Sequence, residues 1–173
     1  MNTEELLASL RKAARDIPMA DIMKARAFMV RSASGLPKKY REAYSNELFS
    51  HLYNVFNEIG RSKKPENIEN IDPEEYEEFM RRLEEMGNSE DKNQEYFNKL
   101  VRITAPYLVF IAKRPIHPIG MTFPGGDRVL EKDGVYYCPV KDKQNNVEVA
   151  LCKFCICRDA EEMVKGGKWK MGL

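Results

Sequence analysis

Cys138, Cys152, Cys155 and Cys157 are the four cysteines of this 173-residue chain, separated by thirteen, two and one residues. Thiolates are soft anionic donors suited to Zn²⁺ or an iron–sulfur cluster, and a Cys-x-x-Cys turn aims two sulfurs at one point. Cys138 ends one predicted strand and Cys152 directly follows another, so a folded sheet brings them together. His117, in the loop that enters this region, is a fifth donor. Tetrahedral zinc takes four donors, which leaves two sets open. One is His117, Cys138, Cys152 and Cys155, favoured because Cys-x-x-Cys suits a single zinc better than the Cys-x-Cys of Cys155 and Cys157. The other uses all four cysteines, with Cys157 as the alternative ligand. A structural zinc site is the leading reading, and an iron–sulfur cluster would use the same residues. Free thiols, a redox Cys-x-x-Cys or a disulfide are the metal-free readings, the disulfide being disfavoured in a reducing compartment.

A catalytic zinc also needs an open position and a proton-transfer group. The deaminase pattern is missing, since no Glu stands two residues after His117 and no Pro precedes Cys152. The sequence likewise lacks His-Glu-x-x-His, Gly-x-x-x-x-Gly-Lys, Gly-x-Gly-x-x-Gly and Gly-x-Ser-x-Gly. A second chemistry is anion binding. Residues 117–126 are rich in Pro and Gly and are flanked by Lys113, Arg114 and Arg128. Amides at Gly125 and Gly126 beside Arg128, with Lys141 and Lys143 of the following polar turn, make a candidate site for phosphate or carboxylate. The plainer alternative is that Pro and Gly only route the chain over the sheet.

These residues need a scaffold, and the apolar spacing predicts it. Thr3 is the expected N-cap of a first helix carrying Leu6, Leu7, Leu10, Ala13, Ala14 and Ile17 on one stripe. A second helix is expected over 20–34. A third carries Tyr40, Tyr44, Leu48, Leu52, Val55, Phe56 and Ile59, with Gly60 as its C′ residue. Asp72, Pro73 and Glu75 open a fourth as cap, first position and capping box, ended by Gly87. A fifth spans 89–113 and kinks near Pro106. Then the pattern turns extended: strands over 128–132 and 135–138 flank the hairpin dipeptide Asp133-Gly134, and 147–151 alternates as a third strand. A short helix over 159–164 and a tail at 166–170 follow. The expected fold is therefore α+β, mostly α: a helical N-terminal bundle of about five helices (1–113), then a small antiparallel β meander with a Cys-rich metal site (114–173) packed on it.

Composition limits the partners. The chain has 28 basic and 27 acidic residues, a formal charge of +1, which argues against coating nucleic acid along its whole length. The charge is uneven, with an acidic middle over 61–100 and a mildly basic C-terminal third. Tyr136, Tyr137 and Trp169 lie near basic residues, so nucleic acid is a third-ranked partner class. No apolar run approaches the roughly 20 residues that span a bilayer, and the N-terminus carries no secretory pattern. A cytoplasmic protein without a membrane role is expected.

Four segments carry a family resemblance: His117-Pro118-Ile119-Gly120, Phe123-Pro124-Gly125-Gly126, Tyr137-Cys138-Pro139-Val140-Lys141-Asp142-Lys143-Gln144 and Ala150-Leu151-Cys152-Lys153-Phe154-Cys155. They resemble an uncharacterised archaeal family, found mainly in methanogens, known as domain of unknown function 2115 or uncharacterised protein family 0305. The resemblance implies a cytoplasmic archaeal protein with no assigned activity, and it groups His117, Cys138, Cys152 and Cys155. The functional expectation is a zinc-stabilised protein that presents a surface to a partner protein or a small anionic ligand. A metalloenzyme or iron–sulfur redox protein built on the same cluster is the alternative.

Overall fold

Helical periodicity is realised through the first two thirds of the chain in a computed structural model that describes residues 1–86, 91–145 and 147–165. Helix α1 (Thr3–Arg15) is capped one residue earlier than expected. Asn2 is extended, its side chain accepts the Glu5 N–H at 2.9 Å, and the Glu5 carboxylate accepts the Asn2 N–H at 2.9 Å. Thr3 is instead the first helical residue, buried, and its hydroxyl donates to the Asn67 carbonyl at 2.8 Å. Asn2→Ala is expected to lower stability by about 1 kcal/mol, read as a lower thermal midpoint; Asn2→Gly should cost less.

Helix α2 (Met19–Ser32) passes into a 3₁₀ turn at Ala33–Gly35. Helix α3 (Lys38–Glu42), a π-helical stretch (Ala43–Leu48) and α4 (Phe49–Arg61) then form one continuous run. Gly60 therefore lies inside the helix, not beyond its end. The stop comes at Ser62, which is extended and bonds the Glu58 carbonyl with both its amide and its hydroxyl, each at 2.8 Å.

Helix α5 (Pro73–Glu85) starts where Asp72 and Pro73 place it, the Asp72 carboxylate accepting from Glu74 and Glu75 at 2.9 and 3.1 Å. Gly87 and Ser89, the expected end of that helix and start of the next, lie outside the described residues. Helix α6 (Gln94–Pro106) continues into a π-helical segment, Tyr107–Ile111. Pro106 has no N–H for the preceding turn and its ring crowds that turn, and the chain answers with widening.

After residue 113 the sheet departs from expectation. Strands β1 (Leu130–Lys132) and β2 (Val135–Cys138) form the hairpin, with Asp133 and Gly134 both at positive φ, 52° and 75°, as a type I′ turn requires. Residues 147–151 form no strand: Val147 and Val149 are exposed, and a 3₁₀ turn covers Leu151–Lys153. The third strand is β3 (Arg158–Asp159), parallel to β2, with Tyr137 opposite Arg158 and Cys138 opposite Asp159. The sheet is thus mixed, not an antiparallel meander. Tertiary contacts override the local alternation, because Leu151 and Phe154 join the helical core and Arg82 Nη1 donates to the Ala150 carbonyl at 2.9 Å. Helices α7 (Lys141–Asn145) and α8 (Ala160–Lys165) are tied together by Asp159, whose carboxylate accepts from the Asp142 and Glu161 amides at 3.0 and 2.7 Å. The tail at 166–170, with Trp169, lies outside the described residues.

One core runs through both regions. Leu6, Leu52, Ile59, Phe79, Leu100 and Leu108 are packed with Met121, Leu151 and Phe154 of the C-terminal part. Glu78 on α5 bonds Arg82 and Lys153, both at 2.7 Å, so the same helix anchors the cysteine turn by charge as well as by packing. A second, small cluster holds Val129, Cys138 and Cys157, with Phe123, Tyr136, Val140 and Cys155 against it. Among the described residues no helix is long and apolar enough to cross a membrane.

Candidate functional site

The mixed sheet gathers the cysteines. Cys138 closes β2, Cys157 immediately precedes β3 on the neighbouring strand, and both are buried. Cys152 and Cys155 bracket a tight turn in which the Cys155 amide donates to the Cys152 carbonyl at 3.2 Å. The Lys141 ammonium donates to the carbonyls of both Cys152 and Cys155, the latter at 2.8 Å, and so clamps the turn to the end of the hairpin. Against the larger influence of burial, the backbone at Val140 and Lys141 works to lower the Cys138 thiol, and that at Ile116 and Cys157 lowers the Cys155 thiol.

The thiols act on one another electrostatically. Burial pushes the Cys138 thiol up, and burial with the proximity of Cys138 and Cys155 pushes Cys152 up to about 11. Cys155 and Cys157 are hydrogen-bonded to each other: as acceptor Cys155 is held below the ordinary thiol range, while Cys157, the donor, is pushed up. All four are free thiols. As they stand, no three His, Cys, Asp or Glu side chains among the described residues are close enough to hold a metal ion.

The other predicted residues fall elsewhere. His117 stacks edge-on to Phe123 with centroids 5.2 Å apart, and burial, then the nearby His51, pushes its imidazole down to about 4. His51, on α4, meets the Pro115 carbonyl at 3.3 Å through Nε2. Burial, the largest influence, lowers its pKa as well. Gly125 and Gly126 lie in a turn at positive φ, 111° and 95°. Their amides are engaged, Gly125 with the Tyr40 hydroxyl at 3.2 Å and Gly126 with the Phe123 carbonyl at 3.0 Å. Arg128 and Lys143 are exposed, whereas Lys141 is committed to the cysteine turn.

A second polar constellation escapes the sequence reading. Glu58 of α4 accepts from the Tyr107 hydroxyl and from Arg114 Nη2, both at 2.7 Å. Burial pushes its carboxyl up, but these two bonds and the Arg114 charge outweigh it and hold the pKa below the ordinary carboxylate value. The available signal was an acid beside the apolar stripe of α4, facing a proline-disturbed helix.

The family model described as "Uncharacterized protein conserved in archaea (DUF2115)" matches residues 2–160. The chain is similar to a UPF0305 protein of Methanocaldococcus jannaschii, 39% identical over 165 residues, or 94% of this chain and 99% of that protein. It is 38% identical over 165 residues to one of Methanococcus maripaludis, covering 94% of this chain and 100% of the relative. A UPF0305 protein of Methanothermobacter thermautotrophicus is 35% identical over 159 residues, 90% of this chain and 95% of the relative. No solved structure matches the chain.

Proposed function

The chain belongs to the archaeal DUF2115 family, and on that footing we propose that it is a structural metalloprotein whose four thiols, Cys138, Cys152, Cys155 and Cys157, hold one zinc ion. The observation that carries this reading is the meeting of the thiols at the end of β2, where buried Cys138 and Cys157 share one cluster with Cys155 packed against it and Lys141 clamps the turn that carries Cys152 and Cys155. Before zinc binds, burial holds Cys138 and Cys152 as thiols, and the bond to Cys155 together with burial does the same for Cys157. Cys155 is held below the ordinary thiol range, so zinc would enter there and displace protons from the other three. The four-cysteine set is preferred to the set with His117 because Cys138, Cys155 and Cys157 share one cluster, whereas the His117 ring is stacked edge-on against Phe123. Zinc would add Cys138 and Cys152 to the Cys155–Cys157 pair, on a turn already clamped by Lys141. Its part is structural: it would tie β2, the cysteine turn and β3 together, ordering a surface for a partner protein or a small anionic ligand.

The expected result is about one zinc per chain in colourless protein purified anaerobically without a His tag, measured by mass spectrometry. Cys138→Ser and Cys155→Ser should each abolish it. Chelation should loosen residues 114–165 in hydrogen exchange while α1 to α4 stay protected. Iron with sulfide and a brown colour would replace zinc by a redox cluster on the same residues. Protein that takes up neither metal after reconstitution overturns the reading.

A further inference from the structure

Away from the thiols, the end of α4 faces the π-helical end of α6 across a cavity of about 250 Å³. Glu58, Ser62, Lys64, Glu66, Tyr107 and Arg114 supply its polar lining. A more open hollow of about 470 Å³, lined by Asn54, Asn57, Glu58, Arg61 and Ser62, adjoins it through the shared Glu58 and Ser62. We propose that this double cavity binds a small molecule bearing an oxyanion, phosphate or carboxylate, with Arg61, Lys64 and Arg114 facing the charge and Asn54, Asn57 and Ser62 bonding the neutral polar part.

Three features of the backbone and side chains point this way. First, the wall is built at a conformational cost. The π-helical segment Tyr107–Ile111 is followed by Lys113 in the left-handed region at φ 50°, a position that glycine usually takes at a helix end. Together with the Arg114 amide, which donates to the Leu108 carbonyl at 3.0 Å, this exit turns Arg114 toward Glu58. Pro106 accounts for the widening; the left-handed Lys113 is the separate step that brings Arg114 to Glu58.

Second, Glu58 is not the reactive group of the cavity. Tyr107 and Arg114 engage both its oxygens, so it is the buttress that fixes the guanidinium. Arg114 Nε is buried and has no partner, an N–H that native structures seldom leave unbonded. Third, Arg61 and Lys64 make no ion pair among the described residues, while Arg114 is paired with Glu58 at 2.7 Å. Positive charge therefore exceeds what the local carboxylates Glu58 and Glu66 neutralise. Arg61 does complement the C-terminal dipole of α4, but that role asks for neither Lys64 nor a cavity. An oxyanion supplies the acceptors that Arg61, Lys64 and the Nε of Arg114 lack, and amides at Asn54 and Asn57 suit a ligand with hydroxyl or carbonyl groups.

This site is independent of the thiol cluster, and the test keeps the two apart by running on full-length protein with and without EDTA. Inorganic phosphate, pyrophosphate and succinate are titrated calorimetrically against chloride at matched ionic strength. Saturable binding of at least one probe, unchanged by EDTA and weakened about tenfold or more in the double variant Arg61→Ala/Lys64→Ala, is expected. Those two side chains are exposed and carry no ion pair, so the variant should fold; Arg114→Lys provides a second variant that keeps the charge but loses the fork. Binding of phosphates alone or of succinate alone supports the site and names its class. No saturable heat with any probe, or equal affinity in the double variant, overturns it.

Discussion

Phe79→Ala is expected to cost about 3–5 kcal/mol, the range for emptying a fully buried aromatic site, and to open the cysteine turn at the same time. The ring is 0% exposed. It meets Phe110 edge-on at 5.1 Å and Phe154 edge-on at 5.2 Å, with interplanar angles of 87° and 90°. Phe110 belongs to the π-helical segment and Phe154 to the turn between Cys152 and Cys155. One side chain on α5 therefore joins the helical core to the segment that carries two of the four thiols. Urea denaturation should show the loss in stability, and titration with a thiol reagent should show faster labelling of Cys152 and Cys155. Phe79→Leu, which keeps most of the volume, should recover more than half of both effects. A loss below about 1 kcal/mol with unchanged labelling would mean that the turn is held by Lys141 and the Glu78 ion pairs alone.

The second large effect is on acid stability. The His117 imidazole titrates at about 4 in the folded protein, against 6.5 when unperturbed. The unfolded chain thus takes up the proton first, and the folded state is penalised as the pH falls from 6.5 toward 4, with no further contribution below that. Each pH unit of separation is worth about 1.4 kcal/mol, giving a ceiling of about 3 kcal/mol. Because the His117 side chain is only half-buried, solvent screening trims this to about 2 kcal/mol. His51, lowered mainly by burial, adds a penalty of the same sign. Glu58, held below its ordinary value of 4.5, acts lower, losing its contribution as the pH falls below that value. His117→Gln should therefore reduce the loss between pH 6.5 and 4 to the share due to His51, while leaving the loss below pH 4.5. An identical profile in the variant would show that the ring is reached by water in the folded state.

The parts of this protein that could be read from its sequence are those set by short-range chemistry. Asp72-Pro73 marked the start of α5 and Asp133-Gly134 the hairpin, because each is a local solution to a capping or φ requirement. Cys138 does end a strand, but the strand over 147–151 expected to bring Cys152 to it does not form; β3, just after Cys157, lies beside Cys138 instead. What was not legible depended on partners distant in sequence. Val147 and Val149 alternate as a strand would, yet the segment is fixed by Arg82 and by the burial of Leu151. The parallel neighbour of Cys138 is a strand of two residues, too short to show any period. The Glu58–Tyr107–Arg114 group was invisible because its members are 49 and 56 positions apart and meet only through the π-helical exit.

The parallel pairing of β3 with β2 also fixes an order of assembly. The β1–β2 hairpin closes over a two-residue turn and needs only its own sequence, an event on the microsecond scale. Strand β3 pairs with β2 only after residues 139–157 have looped out and returned, and that loop must find α5 so that Phe154 settles on Phe79. Its closure entropy precedes any reward from the contacts it makes. The segment bearing Cys152, Cys155 and Cys157 is thus expected to be enclosed late, since Leu151 and Phe154 complete the shared core only when that loop docks. Three of the four sulfurs share that late segment, so their protection in a growing chain rests on the speed of one docking event.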